Sequence, residues 1–289
     1  MTGSAFPLGA IGPGEVLGPA LRAVAREINR RGHLVLGGEG GLEPDAVHEA
    51  RVGTKRVRAL WHLFKPTANA ALAKAGIARQ RRAARALAEL RDDHVLRRLV
   101  VDLAAEAPSE DEPAFREALA LIEAPRSKHV DSPESHRDIL DALGADSAEW
   151  LGIEPIDDAE ITRLGLGRSI AKMRELGDVA LAGRVPEEMH RWRRWVKYLR
   201  YQLEPLATPE RVLIRSHHDD LKRIGSTLGS LHDLHVLGTA LESSCPAAVR
   251  EAITARETAL DAALPVDEAR VVRQPPDRLL AEIRAELGV

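Results

Sequence analysis

Two short stretches of the chain place cationic side chains at intervals suited to holding an anion. In the first, His48 is followed by Arg51, Lys55 and Arg58, which stand three, seven and ten residues later. On an α-helix these positions fall within an arc of roughly 80°, spread over about 15 Å of the helix axis. Arginine offers phosphate oxygens a planar fork of N–H donors, and lysine offers a compact charge. The spacing therefore predicts a straight row of groups that bind phosphate.

The same row occurs a second time. His190, Arg193, Lys197 and Arg200 repeat the spacing of the first row 142 residues later. A solvated helix face normally carries acidic partners, but the only acid within the first row is Glu49, which lies off the row. Stacked like charges cost an isolated helix about 0.2–0.5 kcal/mol per pair, so a chain that accepts them twice is expected to have an anionic partner. Two rows suit a linear polyanion better than a single small anion.

A second pair of motifs follows the rows at almost the same distance. LAELRDDHVL, from Leu87 to Leu96, aligns with LGSLHDLHVL, from Leu228 to Leu237, and Leu, Leu, Asp, His, Val and Leu recur in register. The rows are offset by 142 residues and these motifs by 141. Two ordered matches at nearly one offset predict an internal duplication of helical bundles.

Four further cations stand where they could extend the rows. Arg81 and Lys222 each lie six residues before the first leucine of their second motif. Arg56 and Arg194 lie beside the rows. These four residues complete the set of predicted anion contacts.

The histidines that open the rows can couple binding to protonation. A free imidazole has a pKa of about 6.5, so His48 and His190 are expected to be mostly neutral at pH 7. A bound polyanion favours the protonated form. If both histidines take up protons on binding, affinity should rise as the pH falls from about 8 to about 6. The alternative is that each histidine is a neutral hydrogen-bond donor that orients its row.

Long amphipathic helices have to carry these rows. Of the 289 residues 44% are hydrophobic but only 3% are aromatic, and Ala, Leu, Arg and Glu abound, which favours packed helices over sheets. Apolar residues point away from each row, so that side of each basic helix is expected in a core. The predicted fold is all-α, with helices at residues 15–31, 46–64, 68–90, 93–105 and 158–181, from 187 onwards, and at 209–228, besides shorter ones.

The composition limits the class of protein and its compartment. The net charge of −3 hides an asymmetry, because residues 102–160 hold 17 acidic but only 4 basic residues and leave the remainder net basic. Cys245 is the only cysteine, which excludes an intramolecular disulfide framework and a four-cysteine zinc site and fits a reducing cytoplasm. No apolar run is long enough to predict a membrane span, and the first residues do not resemble a secretory signal.

Together these stretches resemble the CHAD family, the conserved-histidine α-helical domain. The resemblance rests on HEARVGTKRVRALWHLF, MHRWRRWVKYLRYQLE and LKRIGSTLGSLHDLHVL. They carry H-x-x-R-x-x-x-[KR]-x-x-R in each half, and Leu-Gly-x-x-x-Asp after the second basic helix. The expected domain covers residues 10–265, with a first helical repeat at about 10–145 and a second at about 155–265, followed by an extension with a short helix at 266–289.

The resemblance implies a fold, a ligand and a location. The fold would be two four-helix bundles related by a pseudo-twofold axis around a basic central groove or pore. The ligand would be inorganic polyphosphate, the location the polyphosphate granules of the cytoplasm, and no cofactor is expected. Carried over by position, the polyphosphate contacts would be His48, Arg51, Lys55, Arg58, His190, Arg193, Lys197, Arg200, Arg81, Lys222, Arg56 and Arg194.

The chain departs from the family pattern in two ways. His94 and His235 stand where many relatives have a second Asp, and Ala88 stands beside Leu87 where the family has Gly. These changes concern the loop beside each second motif and leave the basic rows intact. Some relatives fuse the domain to a triphosphate tunnel enzyme with a Glu-x-Glu-x-Lys motif, which this sequence lacks. A stand-alone binding domain without enzyme activity is therefore expected.

Two other functions remain open from the sequence. The run HHDD at residues 217–220, or the pair His232 and His235, could bind a divalent ion in a metal-dependent phosphohydrolase. Cationic rows also bind nucleic acids. Single strands are generally read by exposed stacking aromatic residues, however, and only Tyr198 and Tyr201 are available for that.

Overall fold

The computed structural model describes residues 9–38, 43–89, 92–123, 133–264, 266 and 269–289. These residues contain no strand, so the all-α prediction is confirmed. None of the helices among them is both long and apolar enough to cross a membrane. In chain order the helices are α1 (Leu17–Gly37), α2 (Pro44–Phe64), α3 (Ala70–Glu89), α4 (Asp92–Ala104), α5 (Glu112–Glu123), α6 (Pro133–Glu149), α7 (Asp158–Glu160), a π-helical segment (Ile161–Leu166), α8 (Gly167–Gly183), α9 (Pro186–Leu203), α10 (Val212–Leu241), α11 (Ala247–Ala262), α12 (Arg270–Arg273) and α13 (Pro276–Leu287).

A first four-helix bundle consists of α1, α2, α3 and α6, which contact one another in a closed ring. At its centre the rings of Trp61 and Trp150 stack with their centroids 3.8 Å apart. Both indole N–H groups donate to the buried carboxylate of Asp146, and the side-chain amide of Asn29 donates to it at 2.8 Å. Burial raises the pKa of Asp146, and these donors offset the cost of keeping a polar group in the core.

A second bundle consists of α8, α9, α10 and α13, with the same ring of neighbours. The apolar side of α9 buries Trp192, Leu199 and Leu203 in its core. α13 contacts α8 and α10 as α6 contacts α1 and α3. The helix within the stretch expected as a C-terminal extension therefore completes the second bundle. The internal duplication and the domain boundaries stay predictions.

The two bundles meet where α2 packs against α9. The side-chain amide of Gln202 donates to the carbonyl of Ala59 at 2.8 Å across this junction. The π-helical segment also contacts α2, and a Cβ atom on Gly165 would lie 2.5 Å from the carbonyl oxygen of Leu63. Glycine is needed at this position because no side chain fits so close an approach of two backbones.

A third group of helices was not predicted. α4 and α5 pack with α11 and with the last turns of α10. Their separate apolar core includes Leu96, Val100, Phe115, Leu237 and Ile253. The acidic residues of α5 therefore belong to an ordinary amphipathic helix with a buried face.

Two helices are longer than the sequence predicted. α1 continues beyond residue 31 to Gly37, because Gly32 packs against Leu143 of α6 and Leu36 is buried. α10 continues beyond residue 228, and its buried face runs through Leu234 and Leu241. In both cases tertiary packing outweighs the local signals for a helix end.

Candidate anion-binding site

The two rows lie on the helices that join the bundles. We call His48, Arg51, Lys55 and Arg58 the α2 row, and His190, Arg193, Lys197 and Arg200 the α9 row. On both helices the opposite side is committed to the core, with Val57, Leu60, Phe64, Trp192 and Leu199 almost fully buried. Where α2 and α9 pack together, their cationic sides open onto one cavity of about 470 Å³. We call it the basic cavity.

The basic cavity is lined by residues of α2, α3, α9 and α10. Eight of the twelve predicted contacts line it, three of them from the α2 row and three from the α9 row. Ala84, Arg85, Tyr198, Tyr201 and His232 line it as well. The lining residues that were predicted are Arg51, Lys55, Arg58, Arg81, His190, Arg193, Arg194 and Lys197.

The other four predicted contacts do not line the basic cavity; they are His48, Arg56, Arg200 and Lys222. Arg56 is buried, and its guanidinium donates to both carboxylate oxygens of Glu204, at 2.6 and 3.0 Å. The guanidinium of Arg200 lies 4.5 Å from the ring centroid of Tyr201. The remaining two residues are exposed on α2 and α10. Only part of each row therefore lines the cavity at the junction of α2 and α9.

Two lysines from different rows share the interior of the cavity. Burial, followed by the charges of Arg51 and Arg193, lowers the pKa of Lys55 to about 8. Burial, followed by the charges of Arg193 and Lys55, lowers the pKa of Lys197 to about 7. Asp233 on α10 opposes both shifts but does not cancel them. The lowered pKa values mean that burial and the neighbouring charges disfavour the charged form of both lysines, whereas a bound anion would favour it.

A pair of histidines forms one end of the lining. The Nδ1 atoms of His190 and His232 lie 3.3 Å apart, so one imidazole donates a hydrogen bond that the other accepts. Burial, followed by the charges of Arg193 and His190, lowers the pKa of His232 to about 4. Burial, followed by the charges of Arg194 and Arg193, also lowers the pKa of His190. Both rings are therefore neutral at pH 7 in the ligand-free protein.

Positive charge continues along α2 beyond the basic cavity. Burial, followed by the charges of Arg168, Lys74 and Arg81, lowers the pKa of Lys65. Burial, followed by the charges of Lys65 and Arg168, lowers the pKa of His62 to about 3. From Arg51 to Lys65 the helix axis covers about 21 Å. A linear anion longer than the cavity would find further cations at this end.

Some lining residues had a signal in the sequence that was not used. Arg85 lies one helical turn after Arg81 on α3, so helical periodicity alone could have identified it. His232 was considered only as a metal ligand together with His235. Tyr198 and Tyr201 were considered only as stacking platforms, whereas both are largely buried and pack against Ala59. Their lining of the cavity follows from the α2–α9 contact.

Two residues of the metal hypothesis, His217 and Asp220, contact residues of α10 and of the C-terminal helices. Among the described residues no three His, Cys, Asp or Glu side chains are grouped so that they could hold a metal ion. Within the HHDD run, Asp220 accepts hydrogen bonds from Arg223 and from the backbone N–H of Val271. His217 is fully buried with its Nε2 atom 3.4 Å from Glu282. The run therefore ties α10 to the C-terminal helices.

Comparisons with known proteins give a family match and matches among solved structures. A family model described as the CHAD domain matches residues 19–242 of the chain. Among solved structures, the crystal structure of the CHAD domain from the plant Ricinus communis matches with a TM-score of 0.56 at 23% sequence identity. The match covers 98% of this chain and 95% of that chain, and at this identity it concerns the fold alone. No curated protein matches the chain significantly.

Proposed function

Because the chain belongs to the CHAD domain family, we propose that it binds inorganic polyphosphate in the basic cavity. The observation that carries this proposal is the crowding of cations there. Six arginines line the cavity around the two lysines with lowered pKa values: Arg51, Arg58, Arg81, Arg85, Arg193 and Arg194. Guanidinium groups bind phosphate oxygens through two parallel hydrogen bonds, and the lysines regain their full charge beside an anion.

A linear polyanion suits the site better than a single phosphate. Cations line the cavity, and beyond it Lys65 at the end of α2 lies near Lys74 of α3 and Arg168 of α8. A short phosphate can neutralise only part of this charge. A chain of phosphates can follow it, and through such binding the protein would associate with polyphosphate granules in the cytoplasm.

The proposed role is binding without catalysis, and a single-stranded nucleic acid is a poorer fit. Base stacking needs accessible aromatic faces, whereas the side chains of Tyr198 and Tyr201 are only 3% and 4% exposed. In a competition assay, long-chain polyphosphate should displace bound RNA at a lower phosphate concentration than RNA needs to displace bound polyphosphate.

The absence of catalysis is tested separately. Incubation of the protein with polyphosphate and Mg²⁺ or Mn²⁺ should release no orthophosphate, and release would favour the phosphohydrolase instead.

The length of the phosphate chain provides the main test. Calorimetric titrations with pyrophosphate, tripolyphosphate and long-chain polyphosphate should give affinities that rise in this order. Affinity for the long chain should fall steeply with added salt, because each neutralised phosphate releases condensed counterions. Equal affinity for pyrophosphate and the long chain would refute the proposal.

A matched set of variants locates the site. Arg51→Ala and Arg193→Ala each remove one cation from the cavity, so each should reduce the slope of log affinity against log salt by about 0.7. Lys222→Ala removes an exposed cation outside the cavity and serves as the control. If the control changes the slope as much as the two arginine variants do, the ligand binds elsewhere.

A further inference from the structure

A second cavity adjoins the basic one and has a different chemistry. It measures about 450 Å³ and lies between α9, α10, α11 and the turn before α9. It shares His190 and His232 with the basic cavity, so the histidine pair stands between the two. Its other lining residues are Arg184, Pro186, Met189, Leu228, Leu231, His235, Glu257, Thr258, Asp261 and Ala262.

The surface exposed inside this second cavity is mostly apolar, although seven of its twelve lining residues are polar or charged. Met189, Leu228 and Leu231 cover its interior side. Burial raises the pKa of the Glu257 carboxyl, which is one of the polar groups of this lining. At the turn before α9, Arg184 and Asp261 form an ion pair that joins the turn to α11. A cavity of this size that combines apolar surface with groups able to donate and accept hydrogen bonds suits a small organic molecule.

Inorganic polyphosphate does not fit this second cavity. A phosphate chain passing the histidine pair would meet the carboxyl group of Glu257 and the carboxylate of Asp261. The guanidinium of Arg184 is already paired with Asp261, and the methionine and leucine side chains of the lining donate no hydrogen bonds. Phosphate belongs on one side of the pair, and an uncharged organic group belongs on the other. A ligand that fills both cavities must combine the two.

We propose that the two cavities together bind a nucleoside polyphosphate, with its phosphate chain in the basic cavity and its nucleobase in the second cavity. The phosphate half of this inference rests on the proposed function. The base would lie against the sulfur of Met189 and the imidazole rings of the histidine pair, since thioethers contact aromatic rings favourably. Glu257 would accept a hydrogen bond from an N–H group of the base.

A nucleobase fits better than a fatty acyl chain attached to phosphate. An acyl chain has no N–H donor, so it would leave the carboxyl of Glu257 facing hydrocarbon without a partner. A nucleobase has flat apolar faces for the leucines and donors at its edge for the carboxyl. The chemistry of the cavity therefore selects an aromatic base.

A nucleoside triphosphate and inorganic tripolyphosphate provide a direct comparison, because both carry three phosphates. The nucleotide has the lower charge at pH 7, so without contact to its base it should bind more weakly. We expect calorimetry on the full chain to show about tenfold tighter binding of the nucleoside triphosphate, which corresponds to 1.4 kcal/mol. Equal or weaker binding of the nucleotide overturns the inference.

Two tryptophan substitutions on α11 locate the base. Thr258 lines the second cavity and is exposed, so the larger side chain of Thr258→Trp should fill the cavity. This variant should lose the preference for the nucleoside triphosphate over tripolyphosphate and keep its affinity for tripolyphosphate. Thr254 is exposed one turn earlier and outside the cavity, so Thr254→Trp should retain the preference. A preference that survives Thr258→Trp places the base elsewhere and overturns the inference.

Two further measurements separate the possible failures. Should Thr258→Trp fail to fold, Glu257→Met tests the same cavity, and it should reduce the preference for the nucleotide at least threefold. If the wild type binds neither tripolyphosphate nor long-chain polyphosphate, the proposed function fails. If it binds both but shows no preference for the nucleotide, only the present inference fails.

Discussion

The α2 row and the α9 row have the same sequence pattern but different surroundings. The α2 row brings its last three residues into the basic cavity, and His48 stays exposed outside it. The α9 row brings its first three residues in, and Arg200 stays outside beside Tyr201. Spacing along a helix fixes which side a residue faces. The crossing of two helices decides which part of that side becomes a site.

The neighbours of the rows differ as well. α3 adds Arg81 and Arg85 to the cavity, whereas α10 adds His232, and its Asp233 attracts the nearby lysines. Two copies of one motif can thus have unequal roles, and substitution of matched residues measures the inequality.

The largest difference is expected in the free energy of unfolding, between substitutions of Arg56 and Arg194, the two cations beside the rows. Arg56→Ala leaves the Glu204 carboxylate without its guanidinium partner and should lower the free energy of unfolding by about 2 kcal/mol. Arg194 lines the cavity among like charges, so Arg194→Ala should leave the free energy of unfolding unchanged or raise it. Urea unfolding followed by circular dichroism measures both. Equal destabilisation by the two substitutions would contradict this assignment.

The arginines that end the rows should differ in binding. Arg58 lines the cavity, and a charge-assisted hydrogen bond contributes about 1.5–3 kcal/mol, so Arg58→Ala should weaken polyphosphate binding at least tenfold. Arg200 lies outside the cavity, and Arg200→Ala should change affinity by less than about twofold. Calorimetry at one salt concentration compares them. A larger loss for Arg200→Ala would mean that the ligand follows the α9 row to its end.

The two lysines should make binding depend on pH. A lysine is charged below its pKa, so the empty protein loses positive charge as the pH rises through about 7 at Lys197 and about 8 at Lys55. A bound polyanion favours the charged forms, and binding must then take up protons. Affinity should therefore fall as the pH rises from about 6 to about 9.

Substitution by arginine separates the two lysines. Arginine stays charged throughout this range, so Lys197→Arg should flatten the part of the pH profile near 7 and Lys55→Arg the part near 8. Titration of polyphosphate in buffers of different ionisation enthalpy counts the protons. A profile that is flat in the wild type would show that the lysines are already fully charged.

The smallest difference in binding is expected between substitutions of His190 and His48, the histidines that open the rows. His190 lines the cavity as a neutral ring and is held by His232, so His190→Gln should weaken binding by about twofold to threefold through lost positioning. His48 is exposed outside the cavity, and His48→Gln should have no measurable effect. Parallel titrations at pH 7 compare the two. A stronger effect at His48 would require a ligand that reaches the start of α2.

The features set by local periodicity could be predicted from the sequence. The all-α class, the separation of apolar and cationic sides on α2 and α9, and the family all follow from spacings within one or two helical turns. The length of α10 could not be predicted, because residues beyond Leu228 remain helical by packing into the core with α4, α5 and α11. That contact joins segments far apart in the chain.

The residue types of the site could be predicted from the sequence, but the burial of each side chain could not. Arg56 and Arg58 are two positions apart in a basic stretch, yet the first is buried against Glu204 and the second lines the cavity. The sequence predicts titration near pH 7 from the histidines, whereas in the structure the pKa of His190 is lowered and the pKa values of Lys197 and Lys55 fall to about 7 and about 8. Both differences arise from burial, which depends on the packing of α9 against α2.

The contact between α2 and α9 also determines when the site can exist during synthesis. The two rows are separated by 142 residues, and His232 follows later still. At about 5–20 residues per second, a ribosome needs roughly 10–40 s to proceed from Arg51 to His232. Until α9 has been synthesised, the side of α2 that meets it near Ala59 lacks its partner helix and is exposed to chaperones or to other nascent chains. Polyphosphate binding in the basic cavity, as proposed, would therefore require that the chain has been completed through α10 and that both halves have docked.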